Sequence, residues 1–79
     1  MSPTIFREKG YRFFFFSREE SRMRVHVISV AGEAKFWLAP SVALARNHGL
    51  SGLQLKEVEA VIEEHRDEFI RAWRRYFGS

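Results

Sequence analysis

The chain contains no cysteine, only two prolines, and no apolar run approaching the roughly 18 residues of a membrane span. The first absence removes disulfides and thiolate metal sites, and it fits a reducing compartment. The N-terminal stretch MSPTIFREKG also lacks the apolar segment of a signal peptide. A soluble, cytoplasmic protein without membrane contact is expected. Strong charge of one sign is missing too: thirteen basic against ten acidic residues leave a net +3. Residues 1–38 hold seven Lys/Arg and four Asp/Glu, whereas residues 39–79 hold six of each, so the excess sits in the first half. That permits a phosphate-bearing or acidic partner without demanding one. Repeats and low-complexity tracts are also absent.

With 79 residues the sequence reads as one domain, 1–79. A domain of this size buries only about 60% of its unfolded surface, so its stability margin is thin. Residues 4–7 and 11–17 read as strands around the turn Glu8-Lys9-Gly10. The run Phe13-Phe14-Phe15-Phe16 puts aromatics on both faces of the second strand, which suits a central position. Arg18-Glu19-Glu20-Ser21-Arg22 is polar and reads as a loop. Residues 24–30 and 33–38 form a hairpin about Ala31-Gly32. Period-two alternation assigns Val25, Val27, Ala34, Phe36 and Leu38 to the core. Arg24, His26, Ile28, Glu33, Lys35 and Trp37 fall on the other face.

Pro40 ends this strand, and residues 41–47 (SVALARN) read as one or two helical turns closed by His48-Gly49. Ser51 and Gln54 have capping-box spacing, with Leu50 and Leu55 placed as a hydrophobic staple. A helix is expected from 52 to 77, its apolar stripe formed by Leu55, Val58, Val61, Ile62, Phe69, Trp73 and Phe77, with His65 on the stripe as a hydrogen-bonded core residue. Unbroken, it would measure about 39 Å at 1.5 Å per residue. A domain of this size is on the order of 30 Å across. The helix therefore kinks near 65–67 or overhangs the sheet. The expected fold is α+β: a three- to four-stranded antiparallel sheet packed by a long C-terminal helix.

Three groups of side chains carry the functional expectations. On the open hairpin face, His26 is the candidate acid–base residue, because an unperturbed imidazole titrates near neutral pH. Arg12, Arg24 and Lys35 could hold phosphate, and Trp37 or Tyr11 could stack on a base, giving an RNA-binding or RNA-cleaving sheet. The competing reading is a solvated sheet face with cross-strand charge pairs. At the helix end, Arg71, Trp73, Arg74, Tyr76 and Phe77 are residue types enriched at interface hot spots. They point to a homodimer or a protein partner, unless Trp73 and Phe77 merely finish the core. The three histidines show no ligand spacing, so neither a metal nor another cofactor is expected. Ala45-Arg46-Asn47-His48-Gly49-Leu50 with Leu55 and Val58 also fits a helix-turn-helix, against which stand Pro40 and the carboxylates of Glu57, Glu59, Glu63 and Glu64.

Several stretches together resemble a small bacterial family, domain-of-unknown-function family forty-one sixty. They are Pro3-Thr4-Ile5, Gly10-Tyr11 with the Phe-rich strand, Val25-His26-Val27, and Gly32-Glu33-Ala34-Lys35-Phe36-Trp37-Leu38. Gly49-Leu50-Ser51, His65-Arg66-Asp67-Glu68 and Ala72-Trp73 complete the set. Members typically read Pro-Pro-His-Val-His-Val where this chain has Arg22-Met23-Arg24-Val25-His26-Val27. Arg24 keeps a positive charge there but supplies no acid–base group near neutral pH. The resemblance implies a toxin–antitoxin-type gene pair, in which this chain binds a cognate small protein encoded nearby, with RNA as a further ligand. A non-catalytic interaction module is the alternative.

Overall fold

A computed structural model describes residues 4–15 and 22–77. Phe16, Ser17 and the expected loop residues Arg18, Glu19, Glu20 and Ser21 lie outside the described residues, as does Pro3. Five strands precede two helices: β1 (Thr4–Glu8), β2 (Tyr11–Phe14), β3 (Arg24–Ile28), β4 (Glu33–Trp37), β5 (Ala43–His48), α1 (Gly52–Glu64) and α2 (Arg66–Phe77). The strands form one antiparallel sheet in the order β1-β2-β3-β4-β5. The α+β class is as expected, but the sheet has one strand more and the helix is two.

Lys9 and Gly10 close the first hairpin with φ of 56° and 83°. Two successive left-handed residues match the right-handed strand twist, and glycine supplies one of them without strain. The alternation read from the sequence holds in β3 and β4: Val25, Val27, Phe36 and Leu38 are at most 1% exposed and Ala34 is buried. Phe13 and Phe15 join them, and Val58, Val61, Ile62, Phe69 and Trp73 close the core from the helices. Both helices thus cover one face of the sheet.

Residues 41–47 do not form helical turns. Residues 43–48 are β5, paired with β4 through Lys35↔Arg46, Phe36↔Leu44 and Trp37↔Ala43. Alanine, leucine and arginine favour helix by a few tenths of a kcal/mol each, a weak preference that ladder pairing overrides. Between Arg46 and Leu44 the register shifts, leaving Ala45 as the extra residue of a bulge. This strand also removes the first helix of a helix-turn-helix. At its end, Asn47 bonds both the N–H and the C=O of Leu50, and Gly49 turns with φ of 96°. Gly32 lies so close beneath that a Cβ there would collide with the His48 carbonyl oxygen and the Gly49 backbone.

The capping box forms as read: the Gln54 N–H donates to Ser51 Oγ at 3.1 Å, and Gln54 Oε1 accepts from the Ser51 N–H at 2.9 Å. Leu50 is buried and Leu55 packs against the core. Replacing Ser51 by alanine should cost about 1 kcal/mol, read as a lower denaturant midpoint with unchanged slope.

The helix breaks at His65 (φ −111°, ψ 19°). Its N–H still bonds the Val61 carbonyl, and its own carbonyl accepts from Phe69, so one residue ends α1 and starts α2. Charge favours a second helix here: Asp67 and Glu68 stand at its positive end, Arg74 and Arg75 at its negative end. Arg66 fastens the joint to the sheet by donating to the carbonyls of Leu38 (2.8 Å) and Pro40 (3.1 Å). With this break the principal-axis extents are 34 × 26 × 20 Å, and among the described residues the end of α2 packs against Phe15 instead of overhanging the sheet. Trp73 is 5% exposed, its ring edge-on to Phe15 at 5.5 Å and 4.3 Å from Phe77.

Candidate nucleic-acid interface

The face away from the helices is where the charge collects. Directly opposite residues in an antiparallel sheet project to the same side. Phe14, His26, Lys35 and Arg46 are therefore neighbours in a row across β2 to β5. The next row reads Arg7, Arg12, Ile28, Glu33 and His48 from β1 to β5. A third places Arg24 beside Trp37 and Ala43. Among the described strand residues Glu33 is the one carboxylate on this face. The acidic residues of the second half ride on the helices instead, so a net charge of +3 conceals a polarised molecule.

Aromatic rings are interleaved with these cations. Phe14 and His26 stack at 5.5 Å with 22° between planes, and the Arg12 guanidinium lies 5.8 Å from the Phe14 ring. Trp37 carries guanidinium groups from Arg22 at 4.1 Å and Arg24 at 4.8 Å, with Lys35 Nζ at 5.9 Å. Arg24 is itself buried, which an arginine tolerates when its plane rests on an aromatic ring. Arg22 stays exposed, held by a 3.2 Å bond from its Nε to the Ala39 carbonyl. Beside these groups lies a hollow of about 190 Å³ lined by Phe14, His26, Val27, Glu33, Ala34, Lys35, Arg46 and His48.

His26, Arg12, Arg24, Lys35 and Trp37, singled out from the sequence, thus share one face. Tyr11 does not: it is buried on the helix side, and its hydroxyl donates to Glu57 Oε1 at 2.8 Å. Burial raises its pKa, and the bond and charge of Glu57 raise it further. It is no platform for a base. Arg46 and His48 are not expected on this face from the sequence, because 41–47 reads there as helical turns closed by His48-Gly49. Their spacing of two between Pro40 and Gly49 was the available signal.

The expected partner patch at the chain's end separates into two parts. Trp73 belongs to the core and Phe77 is half-buried against it, whereas Arg71 and Arg74 are exposed and Tyr76 is 37% exposed. His65 stays on the helix side and is hydrogen-bonded to Glu68 as expected, but it is half-buried at the rim and not part of the core. The bond to Glu68 raises its pKa, burial opposes this, and the charges of Glu68, Glu64 and Glu8 add to the rise.

The class defined by these features is an α+β protein with one helix-covered sheet face and one open, cationic, aromatic face. Among the described residues no helix is long and apolar enough to cross a membrane. The chain belongs to the family described as Domain of unknown function (DUF4160), whose model matches residues 10–74. No curated protein and no solved structure matches it.

Proposed function

We propose that this protein binds single-stranded RNA across the open face of its sheet. The observation that carries the reading is the alignment of Phe14, His26, Lys35 and Arg46 in one row beside an arginine-flanked Trp37. Single strands are held by cationic grooves that follow the backbone and by aromatic or guanidinium planes on which bases stack. Arg22, exposed and laid over Trp37, offers such a plane. Glu33 adds an acceptor that a ribose 2′-hydroxyl can use and a deoxyribose cannot. Duplex binding fits less well, because among the described residues no helix lies on this face and most carboxylates are on the helices.

In this reading the chain is the RNA-directed half of a toxin–antitoxin-type pair, and the exposed side of α2 around Arg71, Arg74 and Tyr76 receives the cognate small protein. A catalytic version would use His26 with His48, which line the same hollow. Fluorescence anisotropy with a short unstructured oligoribonucleotide tests the binding. Saturable affinity is expected, greater than for DNA of the same sequence, with a log–log salt slope of about −0.7 per phosphate bound. Absence of saturable binding at low salt, or stronger binding of a duplex, sinks the proposal. Strand scission in the same incubation, lost in His26→Ala, would assign the catalytic version.

A further inference from the structure

The joint between the helices gathers a second set of side chains, remote from the open face. His65 Nδ1 is 2.8 Å from Glu68 Oε1, while its Nε2 faces Glu64 Oε1 at 3.4 Å and Glu8 Oε1 at 3.7 Å. Glu8 reaches this place because it pairs with Tyr11, whose side chain points to the helix side of the sheet. One ligand atom from each of Glu8, Glu64 and His65 lies within 4.8 Å of the others. The Phe6 ring, 4.5 Å from the imidazole, walls one side. Arg66, adjacent in sequence, has its guanidinium committed to the carbonyls of Leu38 and Pro40.

These spacings suit a transition metal. Zinc sits about 2.0–2.2 Å from imidazole nitrogen and carboxylate oxygen, so neighbouring donors of a tetrahedral site are about 3.3–3.6 Å apart. The 3.4 Å from Nε2 to Glu64 falls within that range and the 3.7 Å to Glu8 just beyond it; all three donor atoms lie within 4.8 Å of one another, so a bound metal would draw them together. The contact with Glu68 is the other half of the arrangement. A carboxylate on the remote ring nitrogen fixes the tautomer and aims the other nitrogen's lone pair at the metal, as metal-bound histidines generally show. A bare lone pair there would meet two carboxylates, so Nε2 calls for either a proton or a bound cation between them.

We propose that Glu8, Glu64 and His65 bind a divalent transition metal of the zinc–cobalt class, with Glu68 orienting the imidazole and a fourth position left to water. Mixed imidazole and carboxylate donors favour these ions over magnesium or calcium. The spacing of the three histidines could not announce the site, because two ligands are glutamates and one of them is contributed by β1. The bound metal would tie the first hairpin to the helix joint, independently of any RNA on the other face.

Titrating the metal-free full chain with Co²⁺ while recording visible absorption tests this. One equivalent should give the ligand-field bands of a low-coordinate cobalt site, and Zn²⁺ should abolish them. Glu8→Gln should weaken binding at least tenfold, Glu68→Gln about 10–100-fold, and Glu63→Gln, a neighbouring carboxylate outside the set, less than twofold. If Glu8→Gln disturbs the fold, Glu64→Gln replaces it, since that side chain is 70% exposed. Absence of the bands, or equal loss in Glu63→Gln and the ligand variants, overturns the site in favour of a protonated imidazole or a diffuse acidic patch.

Discussion

Changing Lys35 and Arg46 together to glutamate is expected to lower the affinity for single-stranded RNA about a hundredfold. The two residues are paired in register and line the same hollow, so they act on the same stretch of backbone. Reversing them sets two carboxylates against phosphates, and such like-charge juxtapositions cost several kcal/mol, where 1.4 kcal/mol is a factor of ten. The salt dependence should also flatten by about 0.7 for each phosphate that is no longer neutralised. Neither side chain belongs to the core, so circular dichroism and the thermal midpoint should stay close to those of the parent. Lys56→Glu, an exposed reversal on α1, supplies the comparison. Beyond a Debye length of about 8 Å at physiological salt its influence is screened, and the loss should stay within about twofold. Equal losses would show attraction by net charge alone and would remove the open face from the mechanism.

Trp73→Ala is expected to cost about 3–5 kcal/mol, the range for deleting a buried large aromatic. Its ring is 5% exposed and meets Phe15 and Phe77, bridging α2 to the strand end of β2. Globular domains have about 5–15 kcal/mol in total, and a chain this small sits toward the lower end. The variant should therefore be extensively unfolded in urea concentrations that leave the parent intact. Tyr76→Ala and Arg74→Ala should shift the midpoint little, yet weaken co-purification of the protein partner proposed for the exposed side of α2. If Trp73→Ala kept full stability and lost only the partner, its place would be an interface and not the core.

The difference between those two outcomes also marks how far the sequence was legible. The β3–β4 hairpin was readable because its alternation is unbroken, and the Ser51 cap because two side chains at fixed spacing satisfy each other's backbone. At the end of α2 composition misleads: arginine, tryptophan and tyrosine are as much at home around a small aromatic core as on an interface. Burial decides between them, and burial depends on a break at His65 that apolar periodicity alone does not reveal. The acidic pair at Asp67 and Glu68 followed by Arg74 and Arg75 was the better indicator. Half of the open face was legible for the same reason as the hairpin. The share of β5, Arg46 and His48, was hidden by the bulge at Ala45, which shifts the phase of that strand just where its alternation would have shown.

The order of the strands in the sheet is their order in the chain. Each new strand emerging from a ribosome therefore finds its hydrogen-bonding partner already made, and every loop it must close is short, with a small entropic cost. The sheet can be zipped as it is synthesised. Its apolar side cannot be covered so early, because Val58, Ile62, Phe69 and Trp73 all arrive after the last strand. Between those events Phe13, Phe15, Val25, Phe36 and Leu38 face water on a half-built scaffold. The exposed interval in the folding of this chain lies between pairing of the strands and arrival of the helices, when aggregation competes with the docking of two short helices.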